Sequence, residues 1–474
     1  MFPRPGVGNV RRVADAVVVA SHRGPLSFRR DAAGELIASR GAGGLVSSLA
    51  PLVAGTSTLW VAAAVGEADR DAAAQGLVEA TGFRYRCLAL DEADHRLAYD
   101  VVSNATLWFL THRLFDLTRT PAIGSAWRAA WAAYRRINRA FAEAIAEEAD
   151  EGATVLLQDY HLWLVAGWLA EERPDLVPVM FTHTPFCEPS DLRVLPDDVV
   201  EELLEGLVAN RACGFHTRRW AAAFEACVEE RLGLSPPTFV SPLAPDAAGL
   251  AEVAGGPACA RAGWELEAAL AGRRMILRVD RIELSKNLLR GFAAYDELLS
   301  GRPDLRGAVV FVAFVYPSRE AMGEYAAYRR EIEAKVDEVN RRWGTPGWTP
   351  IILDPLDDFP RSVAAYQRYD VLLVNPVRDG LNLVAMEGPL VNRRDGVLVL
   401  SREAGAWDTL GDAALGINPF DVGATAAALA DALDLGPDDR RAHAAGLRRR
   451  VSARTATDWL DDQLLAASKP PGPA

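Results

Sequence analysis

Cysteine is scarce in this sequence, and no pattern joins the few that occur. The 474 residues include five cysteines, at 87, 187, 213, 227 and 259, with no Cys-x-x-Cys pair among them. An odd number of scattered thiols indicates neither a disulfide framework nor a cysteine-based zinc site. Such a set is typical of a protein from a reducing compartment. We therefore expect a cytoplasmic location.

Long apolar runs are also missing. No run approaches the ~20 residues that a membrane-spanning helix needs, so we expect no membrane partner. The first residues, MFPRPGVGNVRR, lack the apolar stretch and the small-residue cleavage site of a secretory signal. We interpret residues 1–14 as a loose leader rich in proline, glycine and arginine.

Positive charge is in short supply: 51 Lys and Arg stand against 64 Asp and Glu, a net charge of −13. Nucleic-acid backbones require clustered positive charge, so no nucleic-acid partner is expected. The P-loop, the Gly-x-Ser-x-Gly elbow and His-Glu-x-x-His are absent too, which argues against an NTPase, a serine hydrolase and a metal site. Small molecules bound in a local basic pocket are the expected partners, and no cofactor is predicted.

The chain does contain apolar runs of strand length that alternate with helical patterns. Such alternation is typical of parallel βαβ units. It predicts an α/β fold with two doubly wound, Rossmann-like domains that face a central cleft. The runs are Ala14–Ser21, Thr58–Val65, Thr154–Tyr160 and Val177–Phe186, followed by MILRVD, AVVFVAFV, TPIIL, DVLLVN and VLVLS.

The predicted domains span residues 15–245 and 257–450. A segment rich in proline, alanine and glycine, Phe239–Gly256, is interpreted as the linker between them. Residues 451–474 include the amphipathic run TATDWLDDQLLAAS, which predicts a C-terminal helix that packs back on the N-terminal domain, followed by a tail. Nothing in the pattern fixes the oligomeric state, and a homo-oligomer is compatible with it.

Polar residues follow many of these runs. Ligands of doubly wound sheets bind outside the carboxyl ends of the strands. The sequence therefore predicts that these residues share one active site. They are Arg23, Asp159, His183, Arg281, Arg319 and Asp379.

The segment from Asp370 to Leu390 is the most informative of these. It contains an apolar strand, a polar turn at 378–380, and apolar residues at helical spacing. The backbone N–H groups and the dipole of a helix N-terminus attract anions. With the cations Arg281 and Lys286, this segment predicts a site for a diphosphate.

Each of these residues also has a purely structural interpretation. Arg281 and Lys286 could be solvated loop charges. Asp159 could cap a helix, and His183 could be a hydrogen-bonded core residue. The segment from Tyr99 to Trp108 could line a sugar site or belong to the core, because tryptophan is usually buried.

Taken in order, nine segments resemble the trehalose-6-phosphate synthases, which are retaining glycosyltransferases of family 20 with the two-domain GT-B fold. The resemblance covers roughly residues 15–465 and is closest to the actinobacterial type. The segments are SHRGP, GAGGL, SNATLWF, QDYHL, HTPF, VDRIELSK, PSRE, GTPGWTPI and RDGLNLVAMEG.

The resemblance implies a role for each matching position. Asp159, His183, Arg281 and Lys286 would be the catalytic residues, with Arg281 and Lys286 on the donor diphosphate. The phosphate of the acceptor would be held by Arg23, Tyr99, Trp108 and Arg319. The rest of the donor would contact Gly44, Asp379, Gly380, Leu381, Asn382, Leu383 and, at the ribose, Glu387.

The implied reaction is transfer of glucose from a nucleotide-glucose to glucose 6-phosphate, giving trehalose 6-phosphate without a metal ion. The SHRGP start slightly favours GDP-glucose over UDP-glucose. The segment EGPLVNRRDG also resembles pseudo-glycosyltransferases, which couple a nucleotide-activated cyclitol to an amino-cyclitol phosphate. An inactive regulatory homologue is the third hypothesis.

Several positions depart from the family pattern, and their effect on activity is open. His22 stands for an asparagine, Gln158 for a histidine, Arg278 for a small residue, Asn287 for a glycine, Cys187 for a proline and Met386 for a lysine.

Overall fold

The computed structural model describes residues 16–31, 33–40, 44–54, 56–74, 76–80, 83–320 and 322–470. The predicted leader, the first three residues of GAGGL and the end of the tail lie outside these ranges.

Eight strands form the first sheet, in the order β10-β9-β8-β7-β1-β4-β6-β5. All neighbours are parallel except the β5–β6 pair. The strands are β1 Val17–Ser21, β4 Leu59–Ala63, β5 Leu77–Ala80, β6 Phe83–Leu88, β7 Thr154–Gln158, β8 Val177–Thr182, β9 Ala212–Phe215 and β10 Thr238–Val240. A separate antiparallel hairpin contains β2 Leu26–Arg30 and β3 Leu36–Arg40.

Six parallel strands form the second sheet, in the order β13-β12-β11-β14-β15-β16. In each sheet the order of the strands reverses beside the first strand, as in a dinucleotide-binding fold. The prediction of two doubly wound sheets is therefore confirmed. The strands are β11 Arg274–Arg281, β12 Val309–Tyr316, β13 Ile351–Asp354, β14 Val371–Val374, β15 Val397–Ser401 and β16 Leu415–Ile417.

Helices cover both sheets. They are α1 Gly44–Val53, α2 Glu67–Ala73, α3 Glu92–Arg96, α4 Trp108–His112, α5 Ser125–Glu148, α6 Val165–Glu172, α7 Pro189–Leu192, α8 Asp197–Val208, α9 Arg218–Leu232, α10 Ala247–Gly255, α11 Pro257–Leu270, α12 Leu288–Gly301, α13 Gly323–Trp343, α14 Phe359–Arg368, α15 Val384–Val391, α16 Trp407–Leu410, α17 Val422–Asp434, α18 Pro437–Val451 and α19 Ala456–Ser468. A π-helical segment, Leu97–Leu107, joins α3 to α4. None of the helices in the described ranges has the length and apolar character to cross a membrane.

The central strands are apolar throughout because both of their faces are buried. In β1, Val18 and Ala20 belong to the core on one side of the sheet, whereas Val19 belongs to the core on the other side. This is why β1 appears in the sequence as a continuous apolar run.

The linker interpretation of Phe239–Gly256 was wrong in part. Phe239 and Val240 belong to β10, and the region also contains helix α10. The Asp246 side chain begins this helix by accepting a hydrogen bond from the N–H of Gly249 (2.9 Å). Helix α10 packs on α11, α14 and α15, so only a short stretch joins the two sheets.

Helix α19 returns from the second sheet to the first and packs against β7, β8 and β9. Its N-terminus has a capping box, in which Thr455 and Asp458 each bond the backbone of the other. Below, the N-terminal half means the first sheet with the helices on it, and the C-terminal half means the second sheet with its helices.

Candidate active site

A cavity of about 610 Å³ lies between the carboxyl ends of the two sheets. All six strand-end residues that the sequence analysis placed in one site line it: Arg23, Asp159, His183, Arg281, Arg319 and Asp379. Four more residues with predicted roles join them: Tyr99, Trp108, Lys286 and Gly380. Parallel strands bring these distant positions together because their carboxyl ends share one edge of each sheet.

Leu381, Asn382, Leu383 and Glu387 are not among the described residues that line this cavity. Leu381 is buried, and the Asn382 amide donates to Asp379 Oδ2 (3.1 Å). Glu387 contacts Tyr366 Oη (3.4 Å); burial raises its pKa to about 7. Gly44 and Leu383 stand at the N-terminal ends of α1 and α15. Their roles toward a donor stay predictions.

Asp159 is held by backbone groups at the end of β7. Its backbone has a positive φ of 72°, and its carboxylate accepts the N–H of His183 (3.1 Å). Burial raises the pKa of this carboxyl to about 6, against the opposing effect of N–H groups of His183, Tyr160 and Thr184. It therefore titrates close to neutral pH.

The cations on the donor side each face a carboxylate. Lys286 Nζ lies 2.6 Å from Asp379 Oδ2 and 4.0 Å from Asp280 Oδ1. Arg281 Nε lies 3.3 Å from Glu283 Oε1. Burial raises the pKa of Glu283, but the nearby arginines and Lys286 outweigh it and lower this pKa to about 2. The carboxylates keep both cations charged and oriented, and an incoming diphosphate would compete with them.

The loop that carries Lys286 is held in place by the residue that follows it, Asn287. Asn287 adopts the left-handed conformation (φ 60°), which asparagine tolerates better than most residues, so it can replace the glycine of the family pattern. Its amide donates to the carbonyls of Asn375 (3.0 Å) and Pro419 (2.8 Å).

Arg319 stands between the two halves, and its Nη1 lies 3.9 Å from Glu283 Oε1, the atom that Arg281 also faces. Its guanidinium lies 4.7 Å from the ring centroid of Trp108, and it donates to Tyr325 Oη (2.7 Å) and Tyr160 Oη (3.3 Å). The side chain is only 12% exposed. Arg23 lines the same cavity but is exposed. A buried arginine on an aromatic face is a strong anion site, because the guanidinium is weakly hydrated and rigid.

Sequence reasoning missed a stack of histidines in the wall of the cavity, next to Tyr99. The His22 ring lies 4.5 Å from Tyr99 and 4.8 Å from His161, and its Nε2 is 2.9 Å from Nε2 of His95. Burial and the nearby arginines lower the pKa of His161 to about 3. Burial and the neighbouring histidines also lower the pKa of His22. His22 and His161 are therefore uncharged near neutral pH and form an uncharged part of the cavity wall. A signal existed, because His22 and His161 both follow a buried strand.

The two halves contact each other directly at the donor turn. Trp220 Nε1 donates to the carbonyl of Gly380 (3.1 Å), and Arg378 Nη2 donates to the carbonyl of Phe186 (2.7 Å). A Cβ added to Gly380 would overlap the carbonyl oxygen of His183. The two halves are thus in direct contact beside the cavity.

Comparison with known proteins identifies the family. The model of glycosyltransferase family 20 matches residues 15–468. The chain belongs to glycosyltransferase family 20. Its predicted family and its class as a glycosyltransferase are therefore confirmed.

Two curated relatives of this family 20 chain illustrate its similarity. A trehalose-6-phosphate synthase of Mycolicibacterium vanbaalenii is 34% identical over 99% of this chain and 99% of its own length. A bifunctional trehalose-6-phosphate synthase/phosphatase of Thermoproteus tenax is 33% identical over 77% of this chain. The match spans only about half, 51%, of that longer protein.

Solved structures of similar proteins share the whole fold. A trehalose-6-phosphate protein from E. coli, bound with UDP-2-fluoro glucose, superposes with a TM-score of 0.85 at 27% identity over 96% of this chain and 100% of its own. An alpha,alpha-trehalose-phosphate synthase (UDP-forming) from Burkholderia xenovorans, in complex with glucose-6-phosphate, gives 0.82 at 26% identity, over 96% and 100%. The GT-B fold predicted for this family 20 chain is confirmed.

Proposed function

We propose that this glycosyltransferase transfers glucose from a nucleotide-glucose to glucose 6-phosphate and forms trehalose 6-phosphate. The observation that carries the proposal is a cavity between the two halves that is lined by four cationic side chains, Arg23, Arg281, Lys286 and Arg319. A nucleotide-sugar and a sugar phosphate are both anions, and several cations in one cavity suit the binding of both. The names of the relatives, and the bound UDP-2-fluoro glucose and glucose-6-phosphate of the similar structures, support this pairing.

On the donor side, Arg281 and Lys286 would bind the diphosphate, and the turn that begins at Asp379 would hold the sugar. The diphosphate would displace Asp379 from Lys286 and free its carboxylate for sugar hydroxyls. Cations already oriented by carboxylates stabilise the negative charge of the leaving diphosphate without further reorganisation. Glu387 would contact the ribose.

On the acceptor side, Arg319 and Arg23 would hold the phosphate, with Trp108 and Tyr99 as the aromatic wall. Asp159 would orient sugar hydroxyls, because its carboxylate is fixed at the floor of the cavity. The neutral stack of His22 and His161 would lie beside the acceptor without adding a charge.

Transfer with retention needs no protein nucleophile in this arrangement. The acceptor hydroxyl would attack from the face that the diphosphate leaves, and a phosphate oxygen would take its proton. The protein would contribute position and electrostatic stabilisation. The closed halves would keep water from hydrolysing the donor.

A product assay tests the proposal. Purified protein is offered glucose 6-phosphate with UDP-, GDP- or ADP-glucose, and both the nucleoside diphosphate and the mass of the sugar product are measured. We expect a phosphorylated disaccharide that depends on both substrates, and the comparison names the donor base. Silence with all three donors from a folded protein that still binds a nucleoside diphosphate would contradict the proposal and favour the cyclitol-coupling hypothesis.

Two lysine variants make the assay specific to the cavity. Lys286→Met should lower kcat/KM by about tenfold to a hundredfold, as loss of a hydrogen bond to a charged group does. Lys469→Met, at an exposed position beyond α19, should leave the rate unchanged. Equal rates for the two variants would remove Lys286 from the donor site.

A further inference from the structure

His183 is surrounded by hydrogen-bonding partners that leave neither ring nitrogen free. Its Nδ1 lies 3.2 Å from Nε2 of His216, and its Nε2 lies 3.0 Å from Oε1 of Gln158. Gln158 and His216 are almost completely buried, whereas His183 is partly buried and lines the cavity. These two bonds belong to a longer series of hydrogen bonds, and the backbone groups at the two ends of that series determine the direction of each bond.

One end of this hydrogen-bond series is a backbone donor. The N–H of Leu243 donates to Nδ1 of His216 (3.3 Å). The His216 proton must then lie on Nε2, and it points to Nδ1 of His183. Burial lowers the pKa of His216 to about 3, although the nearby Ser241 carbonyl opposes this. His216 is thus neutral, and His183 accepts at Nδ1.

The other end is a backbone acceptor on helix α19. The carbonyl of Trp459 accepts from Nε2 of Gln463 (3.4 Å), which turns Oε1 of Gln463 toward Gln158. Nε2 of Gln158 donates to that oxygen (3.0 Å). Oε1 of Gln158 therefore faces His183, whose Nε2 must carry the proton. A carbonyl cannot donate, so the Trp459 end assigns the direction, and the Leu243 N–H at the other end agrees with it.

We propose that Gln158 and Gln463 are positioning residues that hold His183 as the neutral tautomer protonated at Nε2. The C-terminal helix thereby takes part in the active site without touching substrate. The histidine that the family pattern carries at position 158 is replaced here by an amide, whose donor and acceptor ends suit a one-way chain. The predicted effect on turnover rests on the proposed function, whereas the tautomer does not.

A fixed ring keeps the His183 backbone in place. Its N–H is bonded to Asp159, and its carbonyl lies against Gly380 of the other half. With both nitrogens engaged, the ring does not serve as a general acid or base. Its function is to keep the backbone of this strand end aligned with the donor turn.

The tautomer can be measured directly in the free protein. Histidine-¹⁵N-labelled protein is examined near neutral pH by long-range ¹H–¹⁵N NMR, and the His183 signals are assigned by their loss in His183→Gln. We expect a protonated Nε2 and an unprotonated Nδ1. A ring protonated at Nδ1, or at both nitrogens, would overturn the proposal whether or not the enzyme makes trehalose 6-phosphate.

The role of the helix is tested with Gln463→Met, which has similar size but no hydrogen bonds. We expect mixed His183 tautomers and a kcat lower by about tenfold, the order of one lost hydrogen bond, with both KM values little changed. Leu465→Ala, at an exposed position of α19, should keep the wild-type spectrum and rate. An unchanged tautomer and kcat in a folded Gln463→Met protein would remove Gln463 from this role. If that variant does not fold, the wild-type spectrum still decides the tautomer.

Discussion

The guanidinium of Arg278 lies beneath the loop that carries Lys286. It bonds the Asp280 carboxylate (3.0 Å), the Asn375 side chain (2.7 Å) and the carbonyl of Lys286. Arg278 is fully buried, and helix α12 makes room for it with Gly291. A Cβ on Gly291 would lie 2.5 Å from Arg278 Nη1, so a large residue at 278 requires a small one at 291.

Gly291→Ala should destabilise the protein. In most helices this change stabilises by roughly 0.5–1 kcal/mol, because alanine is the better helix former. Here the added methyl must displace a buried, triply bonded guanidinium, and such overpacking costs about 1–3 kcal/mol. The second effect is larger, so we expect a lower free energy of unfolding in urea and a slower donor-dependent rate.

The same helix offers the control. Gly301, at the end of α12, has open space around a built Cβ, so Gly301→Ala should leave the stability unchanged or slightly higher. Equal stability changes in the two variants would show that Arg278 can move aside, and would contradict its role as a rigid support.

The sequence analysis predicted ten of the described residues that line the cavity, but not their pairings. Lys286 and Asp379 are 93 positions apart, and each carried its own motif. Nothing in either motif says that the carboxylate pairs with the cation. The histidine stack was missed for a similar reason, since its members belong to separate segments and stack only after folding.

At the scale of elements, helix α9 connects the two halves. It begins at Thr217, whose hydroxyl accepts the N–H of Trp220 (3.3 Å). This cap fixes the first turn, from which the Trp220 ring projects between the guanidinium groups of Arg219 (4.2 Å) and Arg378 (4.6 Å). Its indole N–H reaches the Gly380 carbonyl, so α9 helps to hold the donor turn.

Trp220→Phe should weaken this hold and leave the fold intact. The smaller ring still packs between the two arginines, but the hydrogen bond to Gly380 is lost. One such bond contributes about 0.5–1.5 kcal/mol, so we expect kcat/KM for the donor to fall by roughly threefold to tenfold. Trp264→Phe, at a side chain that is 77% exposed, is the control and should have the wild-type rate. A wild-type rate in Trp220→Phe as well would show that the bond does not support turnover.

Strands that are buried on both faces of a sheet could be predicted from the sequence. The inner strands are apolar on both faces and separate clearly from amphipathic helices such as α5 and α19. The amino-acid composition gave a wrong prediction at α10. The alanine and glycine residues there suggested a linker, although alanine favours a helix. The capping contact of Asp246 and the packing on α14, which decide the outcome, depend on the folded chain.

At the scale of the whole molecule, each half contains a sheet whose strand order reverses beside its first strand, and each presents its carboxyl edge to the other. The cavity has walls from both halves, since Arg319 of one half lies over Trp108 of the other. A complete site therefore exists only when the halves are closed. Gly380 stands directly against His183 of the N-terminal half.

Gly380→Ala should force the halves apart without unfolding either one. The added Cβ overlaps the His183 carbonyl and also crowds Thr184; both belong to the opposite half, so a small opening relieves the clash. Misplacement of reacting groups by about 1 Å can cost a hundredfold in rate. We expect at least about that loss in kcat/KM and a larger radius of gyration in X-ray scattering.

Gly405→Ala separates opening from ordinary overpacking. A Cβ on Gly405 overlaps the Gly380 carbonyl and crowds Leu381, which belong to the same half as Gly405, so no opening can relieve it. This variant should lose roughly 1–3 kcal/mol of unfolding free energy and keep the wild-type radius of gyration. Gly380→Ala should show the reverse, a larger radius with a smaller loss of stability. Gly380→Ala could instead unfold at a lower urea concentration and keep the wild-type radius of gyration. The contact between Gly380 and His183 would then be a packing contact within a rigid molecule, and the two halves would not open.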